Sequence, residues 1–137
     1  MADPQKNAKN LQPVDELIRI AGGGAVQQFD ARSIDKLRDF GFSSDELYRF
    51  VAPRRTLARR LEKKEPLTVR ENDNAQRIIH ISEMADRIFG QREKAQRWLR
   101  KPSRALNGVV PLDLLESETG ARLVEEELHR IEYGIFI

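Results

Sequence analysis

The stretch SSDELYRFVAPRRTLARRLEKKEP, residues 43–66, decides how the rest of the chain is read. Ser43 and Glu46 stand at the S-x-x-E spacing of a capping box, in which a hydroxyl satisfies a first-turn amide and a carboxylate reaches back to the cap. A helix therefore begins here. Leu47, Phe50 and Val51 follow at i, i+3 and i+4, the burial pattern of one helix face. Pro53 breaks that helix and disfavours helical geometry just before it. Leu57 and Leu61 then define a second short helix, closed by Pro66. Two short helices, 44–51 and 54–63, joined by a tight turn form a helix-turn-helix arrangement.

With Leu57 and Leu61 pointing inward, Arg55, Thr56, Arg59, Arg60 and Lys63 are expected to face mostly outward, with Arg54 at the helix start. Long cationic side chains suit phosphates and guanine edges in a major groove, and Thr suits a backbone or a thymine methyl. Arg54, Arg55, Thr56, Arg59, Arg60 and Lys63 are thus the candidate DNA-contacting residues. A plain solvated basic face has the same pattern.

Charge is distributed unevenly and points to two different partners. Residues 53–70 hold seven basic and two acidic residues, and residues 111–137 hold two basic and seven acidic ones, although the whole chain is only +2. The first block suits phosphates. The second would repel them and suits a protein partner. Charged residues make up 34% of the 137 and apolar residues 39%, so the chain can bury a modest core. It has no Cys, which excludes disulfides and Cys-based zinc sites and fits a reducing compartment. There is no apolar window of membrane-spanning length and no signal pattern at the start, so a cytoplasmic protein is expected.

Outward from the opening stretch, punctuation marks further helices. Residues 1–13 read as a loose polar tail. VDELIRIAGGG (14–24) reads as a short helix with Val14, Leu17 and Ile18 on one face, ended by glycines. The glycines do not make a phosphate loop, because no strand precedes them and no Gly-Lys-Ser/Thr follows. Ile34, Leu37 and Phe40 mark a helix ended by Gly41. Thr68 and Glu71 form a second capping box and open a long helix to about Phe89. Its apolar face is Ala75, Ile78, Ile79, Ala85, Ile88 and Phe89, and Gly90 stops it. A helix carrying Ala95, Trp98 and Leu99 ends before Pro102, Asn107-Gly108 signals a turn, and Pro111 opens a short helix with Leu112, Leu114 and Leu115. Ser117 or Thr119 caps a last helix with Leu123, Val124, Leu128 and Ile131 on its apolar face. Nothing alternates with period two, so the fold class is all-α.

No catalytic or metal-binding constellation is expected. His80 and His129 lie on different helices without ligand spacing. His80 reads as a half-buried packing residue and His129 as a surface one. Glu125, Glu126 and Glu127 are consecutive and fan around a helix instead of converging. The chain is read as a non-enzyme without cofactors. Trp98 fits either the core of the hairpin or an interface, where Trp is enriched. The ending Tyr133-Gly134-Ile135-Phe136-Ile137 places three apolar residues after a helix-stopping glycine, to dock on the chain's own core or to insert into a partner. Arg100, Lys101, Ser103 and Arg104 are the exposed candidates for partner contact on the hairpin 97–117.

FGQREKAQRWLRKPSRALNGVVPLDLLESETGARLVEEELHRIEYGIFI (89–137) closely resembles the toxin-binding domain of the Xre/MbcA/ParS antitoxins. The residues that carry the resemblance are Phe89-Gly90, Ala95, Trp98-Leu99, Pro102, Ala105-Leu106, Gly108, Pro111 to Leu115, Gly120, Val124 and Ile131 to Gly134. Residues 33–88 resemble the Xre-type helix-turn-helix half, including RTLARR (55–60), and residues 1–32 match weakly. The loop SRALNGVVPLD departs from the family's more usual Asn-Pro start, double Gly and Thr before the Pro.

The resemblance implies three regions: an N-terminal tail and helix (1–32), a DNA-binding domain (33–88) and a toxin-binding domain (89–137). It implies a type II antitoxin that binds a RES-domain toxin, an NAD-consuming enzyme, obstructs its active site, and represses its own operon. Arg100, Lys101, Arg104 and Tyr133 to Ile137 would then contact the toxin. A homodimer or larger assembly is expected, because helix-turn-helix proteins read paired half-sites. A dimeric transcriptional regulator whose C-terminal half only mediates oligomerisation is the other reading.

Overall fold

A computed structural model of the chain describes residues 31–134. The N-terminal helix expected around Val14–Ile18 and the apolar ending 135–137 lie outside the described residues. Six α-helices are assigned within them: α1 Arg32–Phe40, α2 Ser44–Phe50, α3 Arg54–Lys63, α4 Val69–Phe89, α5 Arg92–Leu99 and α6 Glu118–Glu132. Two 3₁₀ segments, Arg104–Leu106 and Pro111–Glu116, lie between α5 and α6. The fold is all-α.

The boundaries follow from local chemistry. Gly41 takes a left-handed φ of 102°, which lets its amide donate to the Arg38 carbonyl and that of Phe42 to the Leu37 carbonyl. This pair of reversed hydrogen bonds satisfies the last carbonyls of α1 and turns Phe42 into the core. Both expected capping boxes form. Glu46 N donates to Ser43 Oγ at 3.2 Å and Ser43 N to Glu46 Oε1 at 2.9 Å. Thr68 and Glu71 repeat the arrangement at 3.1 and 2.9 Å. Only Val51, Ala52 and Pro53 separate α2 from α3.

The long helix α4 is the centre of the structure, with α1, α5 and α6 packed against it. It supplies Ala75, Ile78, Ile79, Ile81, Met84 and Ala85 to a single buried cluster that runs from Ile34 in α1 to Leu128 in α6. Burying a Leu or Ile side chain stabilises by about 1.5–3 kcal/mol, so this cluster dominates the favourable terms. After Leu99 the chain makes a tight loop. Ser103 N donates to the Val109 carbonyl at 3.0 Å, and Gly108 N to the Ser103 carbonyl at 2.8 Å. Asn107 and Gly108 both adopt positive φ, as the turn signal predicts. The helix expected from Pro111 is a 3₁₀ segment, and Ser117 caps α6 by accepting from Gly120 N at 3.0 Å.

Two expectations, for Leu123 and His80, are corrected, and Trp98 falls between its two readings. Leu123 is 45% exposed, because the buried stripe of α6 runs through Gly120, Ala121, Val124, Glu127 and Leu128. Its neighbour in sequence, Val124, points inward, and one helical step turns Leu123 off that stripe. Trp98 is only partly buried and rests its ring on Phe89, with centroids 5.6 Å apart, while Leu99, Leu112 and Leu115 hold the core positions. His80 is exposed and faces Glu125, with Nε2 at 3.5 Å from Oε1.

Candidate DNA and partner surfaces

Helix α3 presents Arg54, Arg55, Arg59 and Lys63 to solvent, with Thr56 partly exposed beside them. Leu57 is fully buried and Leu61 partly so, which fixes the helix's rotation. Among the described residues Arg54, Arg55 and Lys63 form no ion pair, and Arg59 lies 3.3 Å from Glu65. Arg60 departs from the expectation. Its side chain is only 17% exposed, its Nε lies 2.7 Å from Glu71 Oε1, and Nη1 reaches Glu65 and the Pro66 carbonyl. The reason is in the spacing: Arg60 follows Leu57 by three residues and so shares its inward face. It ties α3 to the start of α4.

Two cations outside the expected set, Lys64 and Arg70, extend the exposed basic surface. Lys64 ends α3 in the left-handed conformation, and Arg70 stands in the first turn of α4. Their signal in sequence is only their membership of the basic block. A hollow of about 400 Å³ between the end of α2 and the start of α4 is lined by Tyr48, Pro53, Thr68, Arg70 and Asn74. Asn74 Nδ2 donates to the Val51 carbonyl at 3.3 Å and holds the α2–α3 turn against α4.

The hairpin side differs more from expectation. Lys101 and Arg104 are exposed, whereas Arg100 is half-buried and engaged within the chain. Its Nη2 and Nε donate to the two oxygens of Glu46 at 2.9 and 3.1 Å, and Nη1 donates to Gln96 Oε1 at 2.7 Å. The guanidinium lies 5.0 Å from the centroid of Phe42. A bidentate pair over an aromatic face is the strong form of this interaction. Arg100 therefore works as an internal clasp between α5 and α2, not as a free contact residue. Tyr133 is 72% exposed, its ring 6.3 Å from that of His129 and nearly parallel to it. Gly134 is exposed with φ 69°. Ile135, Phe136 and Ile137 lie outside the described residues.

Four of the seven acidic side chains of the 111–137 block lie beside an arginine. Asp113 and Glu116 lie 3.0 and 2.6 Å from Arg49 of α2. Glu127 pairs with Arg130 at 2.9 Å, Glu132 with Arg87 of α4, and Glu125 faces both His80 and His129. Glu118 and Glu126 make no ion pair among the described residues. Arg49 and Arg87, which stand outside the 111–137 window, offset part of its charge.

The clasp shifts its carboxylate. Burial pushes the Glu46 carboxyl up, but the Arg100 hydrogen bonds, the Ser43 amide and the Arg100 charge outweigh it and hold the group below its ordinary value. A carboxyl depressed on folding contributes stability that is present above its unfolded pKa and lost as pH falls through the folded one. Wild-type protein is therefore expected to lose more stability than Arg100→Gln between about pH 5 and about pH 3. Urea unfolding across that range reads the difference, and parallel curves would show the clasp contributes nothing. The Arg49 guanidinium is held above its ordinary value by the Glu116 hydrogen bond, against a smaller cost of burial.

Among the described residues no group of three His, Asp or Glu side chains gathers as metal ligands would. Nor is any helix among them long and apolar enough to cross a membrane.

Residues 84–134 match the family profile described as the antitoxin Xre/MbcA/ParS C-terminal toxin-binding domain. The chain is similar to a protein named Antitoxin Xre from Pseudomonas putida, 43% identical over 84 residues, or 61% of this chain and 53% of that one. It is 30% identical over 105 residues to an Antitoxin Xre from Photorhabdus laumondii, covering 74% of this chain and 71% of the relative. A third Antitoxin Xre, from Yersinia enterocolitica, is 34% identical over 85 residues, 61% of this chain and 57% of that one. The match thus spans little more than half the length of two of these relatives and under three quarters of the third.

Proposed function

We propose, on the premise that this chain belongs to the Xre-type antitoxins, that it neutralises a toxin through its C-terminal part and represses its own operon through α3. The observation that carries this reading is the outward cationic face of α3, Arg54, Arg55, Arg59 and Lys63, on the same chain as a toxin-binding domain match at residues 84–134. The toxin would be a RES-domain enzyme that consumes NAD, and the antitoxin would obstruct its active site. Lys101, Arg104, Tyr133 and Gly134, with Ile135, Phe136 and Ile137, form the contact set. The DNA-contacting set is Arg54, Arg55, Thr56, Arg59 and Lys63. The protein would act in the cytoplasm, without a cofactor or catalysis of its own, as a homodimer or larger assembly on two half-sites.

One paired experiment tests the division of labour. Arg55→Ala with Arg59→Ala should lower affinity for the protein's own promoter duplex at least tenfold. It should also flatten the salt dependence, because each lost phosphate contact removes about 0.9 from the logarithmic slope. Toxin inhibition should survive. Removal of residues 135–137 should give the converse, weaker inhibition with DNA binding retained. Loss of both activities in the paired arginine variant, with helicity intact by circular dichroism, would overturn the reading. Failure to form a complex with the product of the neighbouring reading frame would favour the dimeric regulator instead.

A further inference from the structure

Helix α2 is gripped at both ends by the C-terminal half of the chain. In its first turn Glu46 receives the bidentate Arg100 guanidinium of α5's end, at 2.9 and 3.1 Å. In its last turn Arg49 reaches Asp113 at 3.0 Å and Glu116 at 2.6 Å on the 3₁₀ segment Pro111–Glu116. The helix itself has seven residues, of which only Leu47 and Phe50 are buried. Two turns of helix are too short to hold themselves in water, so α2 takes its place from what packs on it. Only Val51, Ala52 and Pro53 lead on to α3, and Val51 and Ala52 are buried while the proline fixes its own φ. That connection has little slack, so the place of α2 bears directly on where α3 begins, alongside Asn74, which holds the turn against α4, and Arg60, which ties α3 to α4.

An isolated exposed ion pair would add little. The grip is of another kind at Arg100, which is half-buried, bidentate, stacked on Phe42 and braced by Gln96. Arg49 adds a second anchor one turn along the same helix, with its guanidinium 4.7 Å from the Phe50 ring. The two anchors come from opposite sides of the hairpin loop: Arg100 precedes it, and Asp113 and Glu116 follow it.

We infer that Arg100 and Arg49 are positioning residues for the cationic helix α3 and so set its affinity for DNA. The DNA outlet of this positioning rests on the function proposed above. The positioning itself does not.

Hydrogen exchange on the free, full-length chain tests the positioning without DNA or toxin. In Arg49→Gln with Arg100→Gln, amides of α2 and α3 are expected to exchange at least tenfold faster, while those of Ile78–Met84 in α4 keep their wild-type rates. Arg100→Lys, which retains one charged donor, should recover part of the protection. Unchanged exchange in α3, or an equal acceleration in α4, would overturn the inference, the latter by showing a merely structural role. A mobility-shift titration with the promoter duplex then reads the consequence for DNA. The double variant should bind at least tenfold more weakly than wild type. Affinity equal to wild type would show that the two arginines do not set DNA binding. If exchange behaves as expected but wild type binds no duplex, the proposed function fails and the positioning stands.

Discussion

Gly120→Ala is expected to destabilise the protein by about 3 kcal/mol or more, the reverse of what such a change does in most helices. In an exposed helix interior, Ala is better than Gly by about 0.8–1 kcal/mol. Here an added Cβ would sit 1.9 Å from the Leu114 carbonyl oxygen and 2.8 Å from its carbon. Both are backbone atoms of the 3₁₀ segment that packs under the first turn of α6, so no side-chain rotation relieves the clash. The first turn of α6 must lift away or the segment must shift, and either movement opens the packing around Leu115 and Val124, which are fully buried. Chemical denaturation with the slope left free measures the effect. A variant as stable as wild type would mean that α6 and the segment can slide apart without loss.

Leu128→Ala is expected to cost about 3 kcal/mol, within the usual 2–5 for a buried Leu. Leu128 has no exposed surface and belongs to the same buried cluster as Ile34. Because that cluster is continuous through α4, the cost should fall on the whole described chain. Calorimetry is expected to show one transition at a lower temperature, with calorimetric and van't Hoff enthalpies in agreement. Two separated transitions, with only the C-terminal one displaced, would show that the regions 33–88 and 89–137 fold independently and that α4 merely bridges them.

Much of the fold could be read from the sequence, because its signals are local. Ser43 with Glu46 and Thr68 with Glu71 each need only three residues to satisfy their orphan amides, and both boxes form. Gly41, Gly90 and the Asn107-Gly108 pair likewise report a backbone need at their own positions. Arg100 and Glu46 are 54 residues apart, and nothing near Arg100 announces that its guanidinium will be taken up inside. The same holds for Arg49 with Asp113 and Glu116, since a charge count within a window sees no partner from outside it. Arg60 differs in kind. Its spacing from Leu57 already placed it inward, but a charged residue on an apolar face is passed over when only hydrophobic positions are counted. Gly120 hides in another way, since periodicity treats a helical glycine as neutral filler and cannot see a neighbouring carbonyl pressed against it.

Trp98 has a practical consequence. It is the chain's only tryptophan, and its indole rests against Phe89 at the edge of the hairpin, partly open to solvent. An indole in that setting emits between the limits for water and for a dry interior. Unfolding moves its emission toward the red, and a protein lying over the hairpin excludes water and moves it toward the blue. The chain thus carries an intrinsic optical reporter at the place where a partner is proposed to sit, readable without a label and distinct in direction for the two events.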